Sequence, residues 1–333
     1  MADNTQKVAI IGSGNIGRSW ALLFSSAGFR VCLYDNNPAQ LSNVIDHLKG
    51  QLDALVTKGL SRGDLSAEQQ LQNVTLSNDL ATCVKDAVFV MECVSEILDV
   101  KLAVFKLADD NLSDGAIMAS STSSMLPSVL SVDLNHRDHF LVAHPTNPPF
   151  FARAVELVPA PWTSADVMKR SRDLMVRLGQ APIVMKKEIP GFVLNRMQFA
   201  IFSESWRLVR DGIVDVDGLN KAVWSGLGAR YAFLGPFEVG HLNATGIEGY
   251  LKTYGPMMYR LQSSMGETGP IGGQLAQDIQ DALVVHTPLN ALNERRRWRE
   301  MRMAALAKLK QDMDRLDEQE AKEGKVDLLP SDH

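Results

Sequence analysis

Three cysteines in 333 residues, Cys32, Cys83 and Cys93, are too few and too odd in number for a disulfide framework, and no two are spaced as Cys-x-x-Cys. Thiols so sparse read as reduced ones in a cytoplasmic protein. No apolar run reaches the ~18 residues that cross a bilayer. The opening MADNTQKV also lacks the basic and then apolar order of a signal peptide, so no membrane partner is expected. Positive charge is short as well. Against 39 Asp and Glu stand 34 Lys and Arg, a net charge of −5, whereas a nucleic-acid protein carries a surplus of base. Glycine (24) and proline (14) are too scarce for a collagen-like or low-complexity chain. No His and Cys cluster has the spacing of metal ligands, so no metal is expected. What remains is an ordinary globular composition, 45% hydrophobic, over a length that suits about two domains of ~150 residues.

Between residues 7 and 190, short apolar β-branched runs (8–12, 31–35, 88–92, 116–120 and 140–144) alternate with helical patterns. Continuous apolar strands spaced by helices predict an α/β Rossmann domain over 1–190, its doubly wound and mostly parallel sheet covered on both faces. A helical hairpin near 40–75, interrupted at 58–64 around Gly59 and Gly63, is expected to project from it. Past Pro190-Gly191 the strand signal stops. Residues 191–320 predict a smaller all-helical domain with Gly-rich turns at 226–228, 235–240 and 269–273, followed by a polar tail over 321–333. The helix from Phe192 to Leu208 is apolar nearly all round, which predicts a buried element and, because one small domain cannot cover so many faces, a homodimer joined through the helical domain. Trp298, Met301, Ala305, Leu309, Met313 and Leu316 form one stripe on a terminal helix. The basic run at 294–302 alternates with Glu294 and Glu300 and reads as a solvated face.

The strongest local signal is Gly12-Ser13-Gly14-Asn15-Ile16-Gly17, directly after the first strand and opening a helix. Gly12 allows the tight turn, Gly14 the approach of a pyrophosphate and Gly17 close helix packing, while free amides at the helix start favour phosphate. The second strand ends in Asp35, 18 residues past Gly17, where a carboxylate accepts the ribose hydroxyls and repels a 2′-phosphate. Asn36 and Asn37 offer no arginine to welcome one. The motif and its acid predict NAD as cofactor.

Ligands of doubly wound sheets bind beyond the carboxyl ends of the strands. Reactive groups there are Ser123, after the fourth strand, and His144, after the fifth. Twelve residues on, Glu156 stands between Val155 and Leu157 in the run AVELVPAP and needs a partner. If the turn at Asn147-Pro148-Pro149 folds this run back antiparallel, Glu156 meets the His144 imidazole and makes it a proton acceptor. Ser123 reads equally well as a helix N-cap.

These stretches resemble the L-3-hydroxyacyl-CoA dehydrogenase superfamily, and most closely its lambda-crystallin branch, the L-gulonate 3-dehydrogenases. The resemblance covers almost the whole chain, through IGSGNIGRSWA, MECVSEILDVK, SSTSSMLPS, AHPTNPPF with VELVP, GFVLNRMQFAIFSESWRLV, GLGARYAFLGP and RRRWRE. It implies that His144 is the base with Glu156 as partner, that Ser123 and Asn195 contact the substrate oxygen, and that Glu96 and Lys101 contact the nicotinamide half of NAD. It also implies a homodimer. Acyl-CoA enzymes of the superfamily have a small Gly-Tyr-Pro-type stretch where this chain carries Arg230. A guanidinium suits a free carboxylate better than a thioester. The hairpin offers only Lys49, Lys58 and Arg62 to a CoA phosphate. The expected activity is NAD-dependent oxidation of the 3-hydroxyl of a small hydroxy acid, L-gulonate first. A 3-hydroxyacyl-CoA or other 3-hydroxy acid is the alternative within enzymes, and a crystallin-type structural protein that retains NAD binding is the alternative outside them.

Overall fold

A computed structural model describes residues 6–323. Eight strands form one sheet: β1 (Lys7–Ile11), β2 (Arg30–Tyr34), β3 (Val74–Ser77), β4 (Ala87–Glu92), β5 (Ile117–Ser120), β6 (Phe140–Pro145), β7 (Ala154–Pro159) and β8 (Ala181–Val184), in the order β3-β2-β1-β4-β5-β6-β7-β8. All neighbouring pairs are parallel except β6 with β7. The order reverses between β1 and β4, the place where doubly wound sheets open a ligand crevice. The sequence pattern passes over β3 and β8. Each is a four-residue strand with one or no fully buried side chain, so neither has the apolar run that betrays the central strands.

Helices cover both faces. On one lie α1 (Asn15–Ser26), α3 (Val44–Thr57, preceded by the short α2, Pro38–Leu41), α4 (Ala67–Gln72) and, farther along the chain, α8 (Ala165–Arg177). On the other lie α5 (Leu80–Val84), α6 (Leu98–Asp109) and α7 (Pro127–Ser131). The alternation in β1 explains why that strand is apolar throughout. Val8 and Ile10 join the core formed with Trp20, Leu23, Leu48 and Met175, while Ala9 and Ile11 join the core formed with Cys83, Phe105 and Leu130. The expected projecting hairpin is corrected here. Val44, Leu48 and Leu52 of α3 are buried in the first of these cores, so the segment is a layer of the domain. The break at 58–64 is as expected, with Gly59 and Gly63 both at positive φ.

From Leu194 the chain is helical: α9 (Leu194–Arg210), α10 (Val216–Ala222), a π-helical turn at Val223–Leu227, α11 (Gly228–Tyr231), α12 (Pro236–Leu242), α13 (Gly246–Ser264), α14 (Gly273–His286) and α15 (Leu292–Lys322). Two compact units result. One holds the residues up to Leu194 together with those from Trp298 on, and the other spans Asn195–Arg297. The stretch from Trp298 thus groups with the sheet and not, as the 191–320 boundary implied, with the other helices. Its docking face differs too. Ala304 is buried against Leu55 and Leu60, with Ala307 beside it, whereas Met301, Leu309, Met313 and Leu316 of the expected stripe are exposed. Small side chains let α15 lie close to its neighbour, which the period of the larger ones does not report. Most of the expected tail, 324–333, lies outside the described residues.

Within the Asn195–Arg297 unit, the turns expected at 226–228 and 235–240 are largely helical, in the π turn, α11 and α12, whereas 269–273 is a turn with Gly269, Gly272 and Gly273 at positive φ. The buried helix is a second correction. On α9 only Trp206 is buried, while Met197, Phe199, Ile201 and Phe202 are each about half exposed (49–56%). The apolar excess is real, but the described residues do not cover it. Among the described residues no helix is long and apolar enough to cross a membrane, and no group of three or more His, Cys, Asp and Glu is placed to hold a metal.

Candidate active site

Sheet register gathers the chemistry on one edge. Tyr34 pairs with Ile11, Ile11 with Glu92, Glu92 with Ser120 and Ser120 with Val142. The residues that follow this row therefore stand side by side: Asp35, Gly12, Cys93 and Ser121 as they leave the sheet and, still within β6, Ala143 and His144.

At the Gly12 end the turn is built as its glycines require. Gly12 has φ +106°, and a Cβ there would lie 2.7 Å from the Cys93 carbonyl oxygen. A Cβ on Gly17 would overlap the carbonyl oxygen of Gly12 itself, so helix α1 starts directly against the turn. Gly14 faces open space, with no atom within 4 Å of a Cβ built on it. That opening beside the free amides of the α1 N-terminus fits a pyrophosphate. Asn15 begins α1 and Ile16 packs on the core behind it. Asp35 is fastened to the turn: its Oδ2 accepts from the Ser13 amide (2.9 Å) and hydroxyl (2.6 Å), and its Oδ1 from the Asn37 amide (2.9 Å). Arg18, which the motif leaves unspecified, donates to the Ser13 carbonyl (3.2 Å) and to Asn15 Oδ1 (2.6 Å).

The second group joins Glu96, Lys101 and Ser123. Lys101 is 1% exposed and not the surface ammonium that its type suggests. Its Nζ lies 2.7 Å from Glu92 Oε1 and 3.3 Å from Glu96 Oε2. Glu96 Oε1 accepts from the Thr122 hydroxyl, the Ser123 amide (3.0 Å) and the Ser124 hydroxyl (3.0 Å). Burial pushes the Glu96 carboxyl up, but the Thr122 hydroxyl, the Lys101 charge and the other donors outweigh it and hold the group below its ordinary range. Ser123 is exposed and does not cap a helix, since α7 begins later, at Pro127. Glu92, the buried carboxylate at the centre of this group, is the residue that sequence reasoning missed. A signal existed: a carboxylate ending the apolar strand VFVME needs a partner, by the argument applied to Glu156.

The third group is the pair itself. β7 folds back antiparallel on β6 with His144 directly opposite Glu156, and His144 Nδ1 lies 2.7 Å from Glu156 Oε2. Glu156 is fully buried, and its Oε1 accepts from the amides of Val193 (2.6 Å) and Leu194 (2.9 Å) where α9 starts. Those amides are aimed by a costly turn, Gly191 at φ +78° followed by Phe192 at φ +50°, a region that disfavours a bulky side chain. Phe192 is fully buried and its ring lies 5.8 Å from that of His144. Burial raises the Glu156 carboxyl, yet the His144 hydrogen bond and the two amides prevail and hold it below its ordinary range. An ionised carboxylate facing Nδ1 keeps the proton there and leaves Nε2 as acceptor. Asn195 follows immediately on α9. Arg230 is exposed on the one-turn helix α11 of the other unit and not in a loop.

Comparison with known proteins shows the family and the fold. Residues 7–189 match the NAD-binding domain of 3-hydroxyacyl-CoA dehydrogenase, and residues 191–282 match its C-terminal domain. Lambda-crystallin of Oryctolagus cuniculus is 43% identical over 308 residues, 92% of this chain and 97% of that protein. An L-carnitine dehydrogenase of Oceanobacillus iheyensis is 32% identical over 255 residues, 76% of this chain and 81% of the relative. Among solved structures, FHMPC 5-dehydrogenase, an NAD+-dependent dismutase, shares the fold with a TM-score of 0.78 at 23% identity, over 93% of this chain and 99% of that one.

The contrast between Gly17 and Gly14 is testable by thermal melts with and without NADH. Gly17→Ala is expected to destabilise by about 2 kcal/mol or more, a fall of roughly 4 °C or greater. Gly14→Ala should melt within about 2 °C of wild type, because nothing lies where its Cβ would go, yet lose much of the stabilisation that NADH confers. Equal melting losses in the two apo variants would contradict the packing described.

Proposed function

The chain belongs to the 3-hydroxyacyl-CoA dehydrogenase family and is an NAD-dependent dehydrogenase, and on that premise we propose that it oxidises the 3-hydroxyl of a small free hydroxy acid, L-gulonate to 3-dehydro-L-gulonate being the pair its sequence resemblance favours. The observation that carries this reading is the His144–Glu156 pair at 2.7 Å, on the same sheet edge as the glycine turn. NAD, when bound, supplies the acceptor for the hydride that leaves the carbinol carbon. His144 Nε2 takes the hydroxyl proton, and the buried Glu156 carboxylate stabilises the imidazolium that results. Ser123 and Asn195 hold the substrate oxygen. The Gly12–Gly17 turn with Asn15, Ile16 and Asp35 holds the adenosine diphosphate half of the cofactor, and Glu96 holds the nicotinamide half, with Lys101, too buried to touch the cofactor itself, fixed behind it.

Two observations favour a free acid over an acyl-CoA. Arg62, one of the three hairpin bases, donates to the carbonyls of Leu178 (3.1 Å) and Phe150 (2.7 Å) and to Gln180 Oε1 (2.5 Å), so its guanidinium is committed to the fold. Carnitine, on which the 32% identical relative acts by its name, is itself a 3-hydroxy acid with a free carboxylate. Arg230 is the proposed partner of that carboxylate. The half-exposed apolar face of α9 supports a homodimer.

Four outcomes are expected. His144→Gln should lower kcat by ~10²- to 10⁴-fold while NADH still binds. Glu156→Gln, whose amide would turn toward Nδ1 and place the ring proton on Nε2, should fall in the same direction. Near-wild-type turnover of L-gulonate or any other 3-hydroxy acid by His144→Gln would overturn the mechanism, and a substrate panel read by NADH absorbance decides among acids and acyl-CoAs. Arg230→Ala should raise KM for the acid and leave KM for NAD unchanged, and unaltered acid kinetics would remove Arg230 from the site. Light scattering should give twice the 36.6 kDa chain mass at micromolar concentration, and the monomer mass would refute the dimer.

A further inference from the structure

Glu92, the last residue of β4, has no task in the mechanism above and is fully buried. Burying a carboxylate is costly unless several donors replace water. Glu92 has three. Oε1 accepts from the Val94 amide (2.6 Å) and from Lys101 Nζ (2.7 Å), and Oε2 accepts from the Ser120 hydroxyl (2.6 Å). Even so, burial lifts its carboxyl above the ordinary range against the pull of Lys101, Ser120 and Val94.

None of these donors is idle packing. Val94 lies in the loop that passes over Gly12, whose Cβ position faces the Cys93 carbonyl. Ser120 ends β5 and leads into the segment 122–124. Lys101, on α6, uses its remaining capacity on the Val94 carbonyl (3.2 Å) and on Glu96 (3.3 Å). Glu96 in turn gathers Thr122, Ser123 and Ser124 on one oxygen. The chain of contacts runs from Ser120 through Glu92, Lys101 and Glu96 back to the residues just past Ser120. It closes a ring of charge-assisted hydrogen bonds and one ion pair, Lys101 with Glu96, a rigid arrangement in a low-dielectric setting.

We propose that Glu92 is a positioning residue for the nicotinamide half of NAD: it fixes Lys101, so that Lys101 holds Glu96 and Glu96 holds the loop bearing Ser123. The proposal rests on the reading that Glu96, with Lys101 behind it, receives that half of the cofactor. Without the Glu92 charge, the Lys101 ammonium keeps Glu96 as its one anionic partner and is drawn toward it, which displaces Glu96 from Thr122–Ser124. Asp35 is fastened to Ser13 and Asn37 and not to this ring, so the adenosine half should register the change far less than the nicotinamide half.

The test is calorimetric titration of the full chain with NADH and with ADP, which carries the adenosine diphosphate half and neither the second ribose nor the nicotinamide. Glu92→Gln keeps the shape and is expected to weaken NADH by about tenfold while ADP stays within about twofold. Ser120→Ala, which removes one donor and leaves every charge, should weaken NADH by roughly threefold, again sparing ADP. It stands in if the Gln variant fails to fold. Parallel loss of both ligands would make Glu92 a scaffold residue and overturn the proposal, as would unchanged NADH affinity in a folded Glu92→Gln. The hydroxy-acid reading fails separately, if wild type binds both ligands and oxidises no acid in the panel.

Discussion

The pairing of β1 with β2 on one side and β4 on the other is the constraint from which the site follows. Because the strand order reverses there, the connections after β1 and β4 leave in opposite directions and open the edge to a ligand. Register then decides what stands on that edge, since Ile11 lies level with both Tyr34 and Glu92. A slip by one residue would turn Asp35 and Glu92 to the opposite face of the sheet. The apolar alternation of β1, buried on both sides by separate cores, makes that register costly to lose.

Two buried carboxylates are handled by the same device. Glu92 and Glu156 each sit in an apolar strand, each accepts backbone amides, and each faces a basic side chain, Lys101 or His144. The consequences differ with the base. An ammonium beside a carboxylate makes a fixed ion pair, whereas an imidazole beside one keeps a second nitrogen free to accept a proton. The first arrangement suits holding, the second suits turnover. The left-handed Phe192 belongs to the second, because the amides it aims join the His144 hydrogen bond in keeping the buried Glu156 ionised.

How far the sequence could be read depended on whether a feature was local. The glycine turn, its acid and the central strands were legible because each requirement falls within a few residues. The antiparallel return of β7 was legible from one misplaced glutamate and a proline-rich turn. Short strands such as β3 and β8 were not, for four residues at half burial leave no period to count. Lys101 defeated the residue-type expectation because its partners come from β4 and from a loop nine and five residues away, and no pattern in its own helix announces them. The stripe on α15 misled for a related reason, since the period of large side chains ignored the alanines on which the helix docks.

By itself, then, the sequence determined the doubly wound class, the glycine turn with Asp35 and the candidate pair His144 and Glu156, because backbone conformation, strand burial and the intolerance of an apolar strand for a lone charge are all local constraints. Only the tertiary structure decided that Glu96, Lys101 and Ser123 belong to one network centred on Glu92, that α3 is a layer of the sheet domain and that α9 leaves its apolar face uncovered. Each of those depends on which strands lie side by side and which helices reach one another, and that is set by packing between segments tens of residues apart rather than by any one of them.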